Sequence, residues 1–361
     1  MKWLSDKKLK HLLSVATDPD FAATKYRILA EISRGGMGTV YRAEDTELDR
    51  QIALKVLNTP ETNPDLTKRM LREAQIIAQL EHPGIVPVHD VGLLEDGRVY
   101  YAMKLVRGSR LDEYAARNDS LKDRLRKFQA ACEAVAFAHV HGVIHRDLKP
   151  QNIMIGSFGE VLVLDWGVAK IIGRNRFRES LSEANTLLLP ARHDAGEAEL
   201  AGPASDEDTA HGTIIGTPQY MSPEQARGDV NQLDERSDVY SLGAVLYFLL
   251  TTKAPRVTDD TSGRTKDWKS LRRPRELNPK VTKPAEAVCL KAMAPLSADR
   301  YASARELAAD IANLIDDEPV SAYRENVFEL VVRWLGKNRF LVFLVLAYLL
   351  MRIFFILTAR R

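Results

Sequence analysis

One short segment of the sequence brings together a carboxylate, an ammonium and an amide. It runs from Val143 to Asn152 and contains Asp147, Lys149 and Asn152. A second carboxylate, Asp165, follows in the tripeptide Asp-Trp-Gly. Carboxylate and amide oxygens on neighbouring loops are suitable ligands for Mg²⁺. Because the pieces occur together, in this order and spacing, they predict a functional site rather than a chance grouping.

Three features upstream could handle phosphate groups. The segment from Ser33 to Val40 is rich in glycine, which lets the backbone approach a phosphate because no Cβ stands in the way. Alone, it would equally fit an ordinary glycine hairpin. Lys55 lies on a predicted strand and Glu73 on a predicted helix, and either one alone would fit an exposed side chain. Together they would supply a phosphate cover, a cation and a carboxylate that holds the cation.

In this order, the motifs resemble the protein kinases of the eukaryotic-like (Hanks) type, and most of all the bacterial serine/threonine kinases. The resemblance runs from about Tyr26 to Leu314. Within it, residues 216–224 resemble the end of an activation segment, and residues 237–243 resemble the buried helix that supports the catalytic loop. Arg300 resembles the late arginine that pairs with the glutamate of the Ala-Pro-Glu motif, here Glu224.

The resemblance implies an α+β, bilobal protein-kinase-like fold, with a small β-rich N-lobe and a larger α-rich C-lobe. The apolar run near the C-terminus adds a hydrophobic helix to this prediction. The spacing of apolar residues agrees, since it is strand-like up to about Leu105 and mainly helical after Gly108. The predicted segments are a polar leader (1–25), a kinase domain (26–315) with an N-lobe (about 26–106), a C-lobe (about 107–315) and an activation-segment insert (about 171–211), a juxtamembrane segment (316–339) and a transmembrane helix (340–357).

The resemblance also implies roles at a catalytic centre. Asp147 accepts the proton of the substrate hydroxyl, and Lys149 steadies the γ-phosphate of ATP. Lys55 contacts the α- and β-phosphates and is held by Glu73. Catalysis is then positioning plus neutralisation of charge on the transferred phosphoryl group.

ATP and Mg²⁺ are the implied cofactors. Asn152 and Asp165 would bind the metal. Val40 and Ala53 would line the adenine slot, Met103 would guard its back, and Lys104 and Val106 would offer backbone groups at the hinge. The implied nucleotide-binding set is Ile32, Ser33, Gly35, Gly36, Gly38, Val40, Ala53, Lys55, Met103, Lys104 and Val106.

Four positions depart from the family pattern. Ser33 replaces the first glycine of the phosphate loop, and Trp166 replaces the phenylalanine of Asp-Phe-Gly. Ser222 replaces the alanine of Ala-Pro-Glu, and Lys104 replaces the usual acidic hinge residue. None of these changes removes a catalytic group.

The implied activity is transfer of the ATP γ-phosphate to serine and threonine hydroxyls of proteins, because Lys149 and the Gly-Thr-Pro at 216–218 resemble the serine/threonine branch. Arg146 implies control by phosphorylation of the activation segment, with Thr209 and Thr213 favoured as autophosphorylation sites in a homodimer. Two alternatives are a pseudokinase-like ATP-binding scaffold and a small-molecule phosphotransferase. The presence of the whole catalytic set argues against the scaffold; its members are Lys55, Glu73, Asp147, Asn152 and Asp165. The Ala-Pro-Glu-like segment and the helix that carries Asp238 argue against the small-molecule enzyme, because the resemblance implies that they build a platform for a peptide substrate.

Composition narrows the class of protein. The chain has 361 residues, 45% of them hydrophobic, which is normal for a globular protein. The net charge of +2 gives no overall attraction to nucleic acid. The two cysteines, Cys132 and Cys289, are far apart in sequence and do not predict a disulfide framework.

The C-terminal region is strongly apolar. Residues 340–357 are interrupted only by Arg352 and would form about 27 Å of helix, just enough to cross a bilayer. Arg333, Lys337 and Arg339 precede this run and favour a cytoplasmic kinase domain. The sequence therefore predicts a single-pass membrane protein, with a docking or interfacial helix as the alternative.

Overall fold

The computed structural model describes residues 19–35, 38–58, 64–118, 120–167, 169–171, 217–229, 232–255 and 271–359. Several predictions fall outside these residues. They concern the leader up to residue 18, Gly36, the insert from residue 172 onward, and the threonines at positions 209 and 213.

The N-terminal lobe is built on a five-stranded antiparallel sheet. Its strands are β1 (Tyr26–Arg34), β2 (Gly38–Asp45), β3 (Arg50–Leu57), β4 (Val88–Leu93) and β5 (Val99–Lys104). They lie side by side in the order β1-β2-β3-β5-β4. One helix, α1 (Pro64–Gln79), packs on the sheet through Met70 and Ala74, which contact Tyr101. The sheet therefore has a covered face on which α1 can meet β3 and β5.

The C-terminal lobe is mainly helical. Its helices are α2 (Leu111–Arg117), α3 (Leu121–Val140), α4 (Pro223–Arg227), α5 (Glu235–Thr251), α6 (Pro274–Leu277), α7 (Lys283–Ala292) and α8 (Ala304–Ile315), with 3₁₀ turns at Pro150–Asn152 and Ser297–Asp299. Short strands lie between them: β6 (Gly108–Arg110), β7 (Val143–Ile144), β8 (Ile153–Gly156), β9 (Val161–Val163) and β10 (Lys170–Ile171). β6, β8 and β9 form one small sheet, and β7 pairs with β10. This arrangement confirms the predicted bilobal fold.

The central helices owe their ends to local sequence. The apolar pattern predicts a helix over 125–141. The observed helix, α3, starts earlier, at Leu121, because the Ser120 side chain accepts the Asp123 N–H and caps the helix. Gly142 ends it with φ of 74°, a backbone conformation that glycine adopts readily. The helix buries Phe128 and Val135 in the C-lobe core.

β4 differs from the prediction. The apolar pattern predicts a strand from Ile85 to Val91, whereas the observed strand is Val88–Leu93. Ile85 instead forms an isolated bridge with Val163 at the end of β9. Its side chain is buried in the C-lobe core rather than in the N-lobe sheet.

Two helices follow the lobes, α9 (Val327–Lys337) and α10 (Arg339–Ala359). Among the residues that the structure describes, no helix is long and apolar enough to cross a membrane. The unbroken apolar run that begins at Phe340 ends before Arg352 and covers about 18 Å of α10. A bilayer core is about 30 Å thick. The predicted transmembrane helix over 340–357 is therefore not supported.

Candidate active site

An ion pair joins the sheet to α1 in the cleft between the lobes. Lys55 Nζ on β3 lies 2.7 and 2.9 Å from the two carboxylate oxygens of Glu73 on α1. The Tyr101 hydroxyl on β5 donates to the same carboxylate at 2.9 Å. The Glu73 side chain is fully buried, so both neighbours are needed to satisfy its charge.

Lys55 also faces the second lobe, since its Nζ is 3.3 Å from Asp165 Oδ1. Burial opposes the charged form of Lys55, but the facing groups of Tyr101, Glu73 and Asp165 outweigh it and hold the pKa of Lys55 well above its usual range. The lysine is therefore a fixed cation at neutral pH. The Asp165 carboxylate that it faces is half exposed.

Asp147 lies at the centre of a hydrogen-bond network. Its Oδ1 accepts from the Thr217 N–H at 2.8 Å and from the Thr217 hydroxyl at 3.0 Å. Its Oδ2 accepts from Lys149 at 2.7 Å and from the Asn152 amide at 3.2 Å. Lys149 also donates to the Thr217 hydroxyl at 2.7 Å. Four donors thus orient the Asp147 carboxylate.

The backbone before Asp147 is held by a buried carboxylate on α5. Asp238 accepts the N–H groups of His145 and Arg146 at 2.7 and 2.8 Å, and His139 approaches it at 2.9 Å. Arg146 has a positive φ of 70°, a strained conformation for a residue with a side chain. Burial raises the pKa of Asp238, but contacts with His139 and His145 reverse this and leave it lowered, so the carboxylate that holds the strained loop stays charged.

Trp166, which departs from the family pattern, packs behind the site. Its side chain is buried, and its ring lies 4.6 Å from the His145 ring. Asp165 before it has a positive φ of 60°. Gly167 after it leaves room for the ion pair, since a Cβ there would approach a Glu73 oxygen to 3.1 Å.

The glycine loop is braced from β3. Asn58 donates through Nδ2 to the Gly35 carbonyl at 2.7 Å and accepts from the Thr39 hydroxyl at 2.6 Å. Gly38 has no space for a side chain, because a Cβ would come within 2.6 Å of the Val56 carbonyl oxygen. Ser33 lies in β1 opposite Val40, with no left-handed backbone, so serine is accommodated at that position.

The sheet register brings the predicted nucleotide-binding residues onto adjacent strands. Val40 pairs with Lys55, and Ala53 pairs with Met103. The Lys104 N–H donates to the Pro87 carbonyl at 3.1 Å, so only its carbonyl could serve a ligand. Ile32 lies on β1 with its side chain half exposed.

Two oxygens in the cleft have the chemistry of a magnesium site. The Asn152 amide nitrogen donates to the Asp147 backbone carbonyl at 2.8 Å, which turns the amide oxygen the other way. Among the described residues, no donor is bonded to Asn152 Oδ1 or to Asp165 Oδ2. Amide and carboxylate oxygens suit Mg²⁺, which completes its coordination with water and phosphate oxygens. The residues present therefore fit the metal.

The end of the activation segment is fixed by a buried ion pair, as the sequence predicts. Arg300 binds both oxygens of Glu224 at 2.7 and 2.9 Å, and Ser237 donates to Glu224 at 2.8 Å. Burial raises the pKa of Glu224, but the Arg300 guanidinium outweighs it and lowers the pKa to about 2. Its ordinary value is 4.5, so this pair stabilises the fold above pH 4.5 and loses its effect as the pH falls towards 2.

We expect Arg300→Met to lower the free energy of unfolding by about 3–5 kcal/mol, because it leaves the Glu224 carboxylate buried and unpaired. Urea denaturation at neutral pH measures the change. Arg272→Met is the matched control, since Arg272 forms an exposed pair with Glu276 at 3.8 Å and its loss should change stability by less than about 1 kcal/mol. The difference in the free energy of unfolding between wild type and Arg300→Met should become smaller as the pH falls below 4.5. A difference that does not change with pH would contradict the conclusion that Arg300 stabilises the charged form of Glu224.

Four residues of the site were not predicted as such. Tyr101, Asn58 and Gln225 act through hydrogen bonds that link distant segments; the Gln225 amide donates to the Arg146 carbonyl at 2.7 Å. For Thr217, the sequence indicated only that it belongs to the Gly-Thr-Pro segment that resembles the serine/threonine branch of the kinases, and not that it contacts Asp147. A tyrosine on a buried strand or an asparagine after one is indistinguishable from core or turn residues by pattern alone, so no signal in a single sequence could have found them.

Comparison with known proteins agrees with this geometry. Residues 26–307 match the family described as "Protein kinase domain". Serine/threonine-protein kinase PknD of Protochlamydia amoebophila is 34% identical over 311 residues, which are 81% of this chain and 30% of that protein. Serine/threonine-protein kinase PrkC of Bacillus subtilis is 33% identical over 312 residues, 84% of this chain and 43% of that protein. The chain thus spans less than half the length of these two relatives.

A solved structure shows the same fold. The kinase domain of PknI from Mycobacterium tuberculosis aligns with a TM-score of 0.56 over 80% of this chain and 96% of the other. The sequence identity is 22%, so the likeness concerns the fold alone.

Proposed function

The chain belongs to the protein kinase family, and we propose that it transfers the γ-phosphate of Mg²⁺-bound ATP to serine and threonine hydroxyls of other proteins in the cytoplasm. The observation that carries this proposal is the position of Lys55, held between Glu73 of one lobe and Asp165 of the other. A cation fixed in this way supports the binding of a polyphosphate in the cleft.

In the proposed reaction, Asp147 accepts the proton of the substrate hydroxyl. Its carboxylate already accepts a hydroxyl hydrogen bond from Thr217, so the geometry suits that task. Lys149, 2.7 Å from the same carboxylate, balances negative charge as the hydroxyl oxygen becomes a nucleophile. Asn152 and Asp165 would hold Mg²⁺, which neutralises charge on the phosphates when bound.

The nucleotide would lie under the glycine loop. Lys55 would contact the α- and β-phosphates, and Val40 and Ala53 would flank the adenine. The hinge contacts would come from the backbone of Lys104, through its carbonyl, and of Val106.

We expect Asn58→Ala to raise KM for ATP severalfold with little change in kcat. The substitution removes the hydrogen bond to Gly35 that braces the glycine loop, worth about 1 kcal/mol. Steady-state kinetics with varied ATP measure the effect. Thr39→Val is the control, since it removes only the bond on the other side of Asn58 and leaves the Gly35 contact in place. Equal effects of the two variants would mean that the brace to Gly35 is not what positions the loop.

Autophosphorylation of the activation segment is part of the proposal. Arg146 is buried, and its Nε has no hydrogen-bond partner among the described residues. Burial lowers the pKa of Arg146, and an incoming phosphate would compensate its charge. We expect phosphate on Thr209 or Thr213 after two copies of the enzyme meet in the presence of ATP. Mass spectrometry of protein treated with phosphatase and then with Mg²⁺-ATP checks this; a fully active enzyme with neither threonine modified would contradict it.

The activity itself is tested by incubating the purified chain with ATP, Mg²⁺ and a mixture of acceptor proteins, and then identifying the modified side chains. We expect phosphoserine and phosphothreonine. Phosphotyrosine would contradict the proposed specificity. Bound ATP without any modified protein would favour an ATP-binding scaffold instead.

A further inference from the structure

The apolar side of α9 is exposed. Phe328 and Trp334 are 76% and 54% exposed. The other apolar residues on this side are also exposed: Val327, Leu330, Val331 and Leu335. An amphipathic helix on the surface of a globular protein turns such residues towards the core. In α9 these apolar residues are exposed instead.

The polar side of α9 holds the helix against the kinase domain. Glu329 accepts a hydrogen bond from Lys283 at the start of α7 at 2.7 Å and from the Tyr323 hydroxyl at 3.0 Å. One turn later, Arg333 donates to Glu325 at 2.7 Å. These contacts place the polar side of α9 towards Lys283 and the segment before the helix, and they leave its apolar side exposed.

The next helix indicates what covers this surface. α10 exposes apolar side chains at successive positions: Phe343, Leu344, Val345, Leu346, Tyr348, Leu349, Leu350 and Met351. Successive residues of a helix point in directions about 100° apart, so these side chains surround the axis. The groove of a protein partner covers one face of a helix, whereas a lipid phase covers all of them.

The charge of the region favours lipids with anionic headgroups. From Tyr323 onward the sequence contains two carboxylates, Glu325 and Glu329, and both are ion-paired. The basic residues of the same stretch are Arg324, Arg333, Lys337, Arg339, Arg352, Arg360 and Arg361. Basic residues beside a membrane-seeking helix are attracted to the negative surface of the bilayer.

We propose that α9 is a membrane-surface helix whose apolar side lies in the headgroup region of an anionic bilayer and orients the kinase domain against it. Amphipathic helices with tryptophan, phenylalanine and leucine on one side bind bilayers in this way and bury that side by about 5–10 Å. The surface requires no membrane-crossing segment. It is also independent of phosphate transfer, so either proposal can fail without the other.

The test uses an environment-sensitive fluorophore on an introduced cysteine in the full-length chain. Cys132 and Cys289 are fully buried, so a maleimide dye reacts with the new position. Phe328→Cys reports on α9. Phe158→Cys is the matched control, because Phe158 is an aromatic residue on the turn between β8 and β9 that is even more exposed than Phe328. Labelled proteins are mixed with vesicles of phosphatidylcholine and phosphatidylserine, some of which carry nitroxide-labelled lipid.

We expect the dye at position 328 to shift to shorter wavelengths and to be quenched by the nitroxide lipid, while the dye at 158 keeps the spectrum it has in water. Omission of phosphatidylserine should weaken binding severalfold. A dye at 328 that stays in water on vesicle-bound protein would overturn the proposal. So would a shift that occurs without vesicles and grows with protein concentration, because the occupant would then be a second copy of the chain.

Discussion

Asp147→Asn should lower the rate of phosphate transfer by about 10²–10⁴-fold, the usual contribution of a general base. An amide cannot accept the hydroxyl proton. It would also bring an NH₂ group towards Thr217 or Lys149, which both donate to Asp147. Nucleotide binding should change little, because no phosphate contact is assigned to this side chain.

Initial rates with saturating ATP, together with nucleotide titration by calorimetry, separate the two effects. Asp317→Asn is the matched control, because it makes the same change at an exposed carboxylate paired with Lys122 on the surface. If Asp147→Asn kept most of the wild-type rate, the assigned role would be wrong. If it lost ATP binding as well, the residue would be structural rather than a base.

Lys55→Met should lower the transfer rate by about 10²–10³-fold, the effect of removing one preorganised charge from an active site. The substitution deletes the only side chain that contacts both Glu73 and Asp165 among the described residues. It also leaves the buried Glu73 carboxylate with the Tyr101 hydroxyl alone, so circular dichroism must show that the variant is folded.

Two further variants make this result interpretable. Lys68→Met changes an exposed lysine on the same helix as Glu73 and should leave the rate unaltered. Glu73→Gln keeps the size of the side chain and removes its charge, which frees Lys55 to move. We expect a loss smaller than that of Lys55→Met. An unchanged rate in Glu73→Gln would contradict the account of how the lysine is positioned.

The residues of the site were predictable to the extent that their motifs are local. The run around Asp147 and the tripeptide at Asp165 each carry several chemical groups in a few positions, so a single sequence is informative about them. The pairing of Arg300 with Glu224 joins distant residues, and only the resemblance to a family of kinases predicted it. Tyr101 and Asn58 belong neither to a local motif nor to the family pattern, because their roles arise from strand register.

The secondary structure, like the site, was predictable where its signal in the sequence is local. The spacing of apolar residues predicted helices over 66–80 and 125–141, and a strongly apolar run predicted one over 237–251. The errors lie where a cap or a bridge decided the boundary of an element, as at Ser120 and Ile85. The C-terminal region was predicted less well. Hydropathy counts apolar residues along a segment and does not report which side of α9 is tied to the protein. That orientation depends on Glu329 and its contact with Lys283, which lies far away in the sequence.

The most direct test of the central claim is to follow label from ATP into protein, with the label placed either on the γ-phosphate or on the α-phosphate. Transfer should require Mg²⁺ and should occur only from the γ-position, to serine and threonine side chains. Asp147→Asn in a parallel preparation should lower the transfer by about 10²–10⁴-fold while still binding nucleotide. Label transferred from the α-position, or equal transfer by wild type and Asp147→Asn, would contradict the proposal that this cleft is a protein kinase active site.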